Sequence, residues 1–143
     1  MSLDLAKFDV TKLSEKGFEF QLTVPEVGTK LPAWITIRGE KSKPSVAFQK
    51  KYHNALQQKN ASVMRKTGKA APDPTIDEVE ELLCDTAVVR TISWRGIAEN
   101  GVEIPFTVEN AQRIYAANQW IRDQIISESN LLTNFLDGNE GTS

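Results

Sequence analysis

Phe18-Glu19-Phe20-Gln21-Leu22-Thr23-Val24 and, beyond the breaker Pro25-Glu26-Val27-Gly28, Ala33-Trp34-Ile35-Thr36-Ile37-Arg38 decide the fold class of this 143-residue chain. In the first stretch Phe18, Phe20, Leu22 and Val24 alternate with Glu19, Gln21 and Thr23, the period-two pattern of a half-buried strand. The second stretch is rich in β-branched and aromatic residues and stops at Gly39. The two predict an antiparallel pair across a loop of eight residues, 25–32, longer than a tight hairpin turn. A lone strand pair is marginal in water, so its apolar face requires a helical cover or a partner.

Outward from this pair the periodicity becomes helical. Thr11 is expected to cap a short helix through Leu13 that ends near Gly17. Pro44 suits a first helical turn, and Ser45 to about Lys66 reads as a helix with Phe48, Tyr52, Ala55, Leu56 and Val63 on one face. Gly68-Lys69-Ala70-Ala71-Pro72-Asp73-Pro74 is too rich in breakers to stay helical and marks a linker at 67–75. Thr75 and Glu78 have capping-box spacing, opening a helix expected to run to about Ser93 with Ile76, Val79, Leu82, Leu83 and Ala87 as its stripe. Asn100-Gly101 is a turn signal. Thr107 caps a helix from Val108 to about Ala117, and Trp120 to about Leu136 forms the last helix, with Ile121, Ile125, Leu132 and Leu136 at helical spacing. Asp137–Ser143 reads as a frayed polar tail. The expectation is an α+β chain, mainly helical: residues 1–71 hold the strand pair and a basic helix, and 72–143 form an acidic helical subdomain.

A content of 40% hydrophobic and 25% charged residues is that of a globular domain rather than a disordered chain. The start Met1-Ser2-Leu3-Asp4 has no signal-peptide character and no apolar run is long enough to span a bilayer, so the expected location is cytoplasmic. Charge is divided along the chain. Residues 1–71 carry 13 Lys/Arg against 6 Asp/Glu, and residues 72–143 carry 4 against 13. Such halves can be oppositely charged solvated faces, or attract each other within a chain or between copies.

Chemistry finds little to work with. His53 is the one histidine and Cys84 the one cysteine, which excludes a thiolate-rich zinc site and an internal disulfide. No nucleophile elbow or phosphate-binding glycine loop is present. The carboxylates at 77–81 lack the spacing of a calcium loop, and favourable charge at a helix N-terminus explains them. Cys84, beside the apolar stripe of its helix, reads as a buried structural thiol. Lys41, Lys43, Lys50, Lys51, Lys59, Arg65, Lys66 and Lys69 form a basic band with Phe48 and Tyr52 interleaved, but both aromatics fall on the stripe expected to face the core. A pI near 5.5 also speaks against nucleic acid as the partner. No enzyme, cofactor or metal is expected.

The last third carries an ordered set of anchors: Trp94 and Gly96; then Pro105, Phe106, Thr107, Glu109, Asn110 and Ala111; then Tyr115; then Trp120, Ile121, Gln124 and Ile125. This set resembles the C-terminal region of the tail assembly chaperones of siphophages and related prophages. It covers about a third of the chain, and the first seventy residues are similar only in layout. Gln119 stands where related sequences often have proline. The resemblance implies a non-catalytic protein of the host cytoplasm that binds the phage tape-measure protein, keeps it soluble and helps recruit tail-tube protein around it. The partner-binding surface expected from it comprises Trp94, Phe106, Tyr115, Trp120, Ile121 and Ile125, aromatic residues being common binding hot spots. The same residues can instead build the core of the helical subdomain. The rival role is a small virion structural component, of the tail or the head–tail connector, for which the opposite-charge halves would suit self-association.

Overall fold

A computed structural model describes residues 2–136, so the expected frayed tail at Asp137–Ser143 lies outside the described residues. The alternating stretch forms β1 (Phe18–Thr23) and pairs antiparallel with β2 (Lys30–Ile37), placing Phe18 opposite Ile37 and Phe20 opposite Ile35. Phe18, Phe20, Leu22, Ala33, Ile35 and Ile37 are all buried, as the period-two reading requires.

The sheet has a third strand. The helix opened by Thr75 ends at Arg90, not near Ser93, and Thr91–Arg95 becomes β3, antiparallel to β2 in the order β1-β2-β3. Two forces override the helical period here. Thr91-Ile92-Ser93-Trp94 is rich in β-branched and aromatic residues, and β2 has an open edge whose backbone groups need partners. The opposite face of the sheet is left to solvent, where Arg95 lies 4.1 Å from the Trp34 ring centroid and donates to both carboxylate oxygens of Glu19, each at 3.1 Å.

Five α-helices are found among the described residues. In α1 (Val10–Glu15) the capping side chain is Asp9, accepting from the Lys12 N–H, rather than Thr11. Next, α2 (Lys43–Thr67) starts with Pro44 in its first turn and stops at Gly68, whose φ of 68° is the left-handed conformation of a helix C-cap. The Thr75–Glu78 capping box opens α3 (Ile76–Arg90). A two-residue hairpin, β4 (Ala98–Glu99) and β5 (Val102–Glu103), turns on Asn100 and Gly101, both at positive φ. Thr107 caps α4 (Val108–Ala117), accepting from the Asn110 N–H, and Asn118 joins it to α5 (Gln119–Ser129).

The last helix therefore stops well before Leu136. Ser127-Glu128-Ser129-Asn130 is a poor helical run, and its polar ends have other partners. The Ser129 hydroxyl donates to the Arg38 carbonyl (2.7 Å), and Asn130 accepts from the buried Arg90 guanidinium (2.5 Å). A 3-10 turn, Leu132–Phe135, then brings Phe135 back onto Phe18, ring centroids 5.9 Å apart.

One buried cluster draws on β1, β2, α3, α4, α5 and the 3-10 turn, so residues from both sides of the 67–75 segment share a core. By contrast α2 has one fully buried residue, Ser45, held against the Gly39 carbonyl near its N-terminus. The stripe expected on α2 is only half-buried at Phe48, Leu56 and Val63, and exposed at Tyr52 and Ala55. Ile76 and Val79, expected on the inner stripe of α3, are exposed.

Candidate functional site

The six residues singled out from the sequence separate into two groups. Tyr115, Ile121 and Ile125 are buried in the core, whereas Trp94, Phe106 and Trp120 are half-buried and packed against it. Trp94 stacks edge-on against Phe106 (centroids 5.1 Å) and Tyr115 (6.0 Å). Its indole N–H donates to the Ile104 carbonyl at 2.8 Å. The Thr91 hydroxyl gives its proton to the Ala87 carbonyl (2.8 Å), so the Tyr115 hydroxyl, 2.9 Å away, donates to the Thr91 oxygen. Burial pushes the Tyr115 phenol well above its usual range, outweighing the hydrogen bond to Thr91.

The other motif residues have local structural tasks. Gly96 sits at φ 82°, and a Cβ there would lie 2.2 Å from the Pro32 carbonyl oxygen, so the Trp-x-Gly pattern permits β3 to leave the sheet past β2. Asn110 donates its side-chain amide to the Pro105 carbonyl (3.0 Å), fixing the entry to α4. Gln124 donates to the Thr23 carbonyl (2.8 Å) and accepts from the Thr23 N–H (3.1 Å), tying α5 to the end of β1 beside the irregularity between Gln21 and Thr23.

Phe106 also forms one wall of an open cleft of about 600 Å³. Pro44 and Phe48 of α2 form another wall, Asp85, Val88 and Val89 of α3 contribute to the lining, and Ile92, Val108 and Gln112 complete it with Thr91 and Arg38. Ile92 and Val108 are exposed apolar side chains in this lining. The volume is in the range of sites that admit several apolar groups. Arg38 donates to the Val89 carbonyl, so its head is held at the edge of the cleft. Asp85 is the carboxylate among the lining residues; burial and then the Glu81 charge one turn away raise its pKa. From the sequence, Phe48 reads as a residue of the α2 face and Val108 as a helix start, and nothing there brings them to Val88, Val89 and Ile92. Their convergence needed β3, because a helix continued to Ser93 would have carried Ile92 elsewhere.

Arg122 of α5 is buried but paired with Glu80 of α3 and with Asp123 (3.1 Å). Burial works against its charge, yet the hydrogen bonds to Glu80 and Asp123 prevail and raise its pKa. Its role is to lock two helices together rather than to act on a ligand. Cys84 is buried beside it, as a structural thiol should be, and His53 is exposed on α2. Among the described residues no group of three or more His, Cys, Asp and Glu side chains is placed to hold a metal ion. No helix among them is long and apolar enough to cross a membrane.

A model of the YdaY prophage protein family matches residues 45–141. Comparison with the curated proteins and with the solved structures found no match. The family match spans well over half of the chain, from α2 to beyond the 3-10 turn, and the chain belongs to that prophage protein family.

Proposed function

From its place in a prophage protein family, we propose that this chain is a non-catalytic tail assembly chaperone. It binds the phage tape-measure protein in the host cytoplasm, keeps it soluble and helps recruit tail-tube protein. The observation that carries this reading is the open apolar cleft between α2, α3 and α4. A long helical rod exposes apolar stripes until the tube encloses it, and exposure on that scale drives aggregation. Laying such a stripe into the cleft, in the helix-in-groove manner, would cover it. Many copies along one rod need only modest affinity each.

The motif residues act at two distances. Phe106 contacts the partner directly at the cleft wall, while Trp94, itself braced by Tyr115, holds Phe106 in place from behind. Trp120, half-buried against the core and outside the cleft lining, adds a second, partly exposed aromatic surface, and Ile121 and Ile125 maintain the core.

Co-expression with the tape-measure protein of the same prophage tests this. The expected result is a soluble co-purifying complex that is lost with Ile92→Glu plus Val108→Glu, both at exposed positions and so compatible with folding. An insoluble tape-measure protein despite abundant folded chaperone would reject the reading. Recovery of the chain from purified virions would instead assign it to the particle as a structural component.

A further inference from the structure

The 25 residues of α2 include six Lys/Arg and no carboxylate, and the helix reaches about 37 Å from end to end. Lys43, Lys50, Lys51, Arg65 and Lys66 are all exposed. Among the described residues the one α2 cation in an ion pair is Lys59, 3.4 Å from Glu78. Helical spacing puts Lys43, Lys50 and Arg65 on one stripe, roughly opposite the side on which Tyr52, Leu56 and Val63 lie, with Lys51 on its flank. Tyr52 and Leu56 line a second, smaller cleft with Ala71–Pro74 and Glu78, so the cationic stripe faces away from the body of the molecule.

A matching surface lies on α3. Asp77 and Glu81 are exposed one turn apart on α3 and neither is in an ion pair with a cation of the described residues, whereas Asp85, one turn further on, is half-buried in the lining of the main cleft. The helix dipole accounts for Asp77 and Glu78 in the first turn, but not for the exposed Glu81 beyond it. Like charges one turn apart on a helix repel, a cost that an opposing cation would remove.

We propose that copies of this chain associate head to tail, the outward basic stripe of α2 in one copy docking on the acidic stripe of α3 in the next. The two stripes are different surfaces, so the contact is heterologous and leaves a free stripe at each end for another copy. Nucleic acid is the less suited occupant. Phe48 lines the main cleft and Tyr52 the smaller one, which leaves the outer stripe without a stacking platform. The complementary charge is supplied by the chain itself, +7 over residues 1–71 and −9 over residues 72–143.

Sedimentation velocity on the full chain, over a concentration series in low and high salt, tests the contact without any phage partner. Association is expected to weaken about tenfold or more between roughly 50 and 300 mM salt. It should be abolished by Lys50→Glu plus Lys51→Glu, and separately by Asp77→Lys plus Glu81→Lys. Mixing these two reversed variants should restore it, because each then offers the charge the other lacks. A chain that stays monomeric throughout, association that ignores either reversal, or a mixture that fails to reassociate would overturn the proposal. So would a basic stripe that binds a short duplex DNA while the protein remains monomeric. Circular dichroism of both variants verifies that the reversals leave the fold intact.

Discussion

The C-terminal motif region and α2 behave in opposite ways. From Trp94 to Ile125 nearly every distinctive residue has an internal partner: an indole bonded to a carbonyl, a tyrosine bonded to a threonine, a glutamine bridging to a strand end. Along α2, 25 residues yield a single fully buried side chain, and most of the polar heads face water. A distinctive sequence pattern here marks where the fold is built. The exposed amphipathic helix and the cleft beside it are the surfaces on which the proposed partners would be met. The cleft depends on both, since Phe106 is held by the motif and Phe48 is offered by α2.

The sharpest way to break this contrast is truncation on each side of it. Tyr115→Ala, at a fully buried position, should destabilise by about 3–5 kcal/mol in urea unfolding. Lys51→Ala on α2 should stay within about 0.5 kcal/mol. Comparable losses from the two would mean that α2 is as much part of the core as α4. Gly96→Ala comes next, expected to cost about 1–3 kcal/mol because positive φ and the Pro32 carbonyl both oppose a Cβ. A neutral outcome there would remove the structural account of the Trp-x-Gly pattern.

Smaller effects sharpen the picture. Tyr115→Phe keeps the ring but removes the donor to Thr91, and should cost about 1 kcal/mol, read as a lower urea midpoint at unchanged slope. Asp85→Asn should stabilise by a few tenths of a kcal/mol at neutral pH, by removing a partly buried charge beside Glu81. The folded state raises this carboxyl's pKa, so it binds the proton more tightly than the unfolded chain does. The wild type therefore loses stability as pH rises from about 4 through the folded value, and the variant lacks that component. Thermal melts of both proteins across that range check the sign.

Much of the architecture was legible because it rests on local rules. Period-two alternation at Phe18–Val24, the Thr75–Glu78 capping box, the Asn100-Gly101 turn and the Thr107 cap each act over a few residues. What was missed depended on distant partners. Ile92 lies in a strand because β2, more than fifty residues earlier, presents an open edge, and α5 ends at Ser129 because Arg38 and Arg90 engage its last polar residues. Of the candidate site, Phe106 and its aromatic support came from the sequence, but the cleft did not. Its lining unites residues from four separate elements, and no periodicity within one of them reports that convergence.

Site-specific photo-crosslinking tests the central claim most directly. A photoreactive side chain at Val108, in the cleft, is compared with one at Val102, exposed on the hairpin and outside the cleft lining, during co-expression with the tape-measure protein. The account predicts an adduct between Val108 and an apolar helical segment of the tape-measure protein, and none from Val102. Adducts from the hairpin position alone, or none to the tape-measure protein from either position, would contradict it.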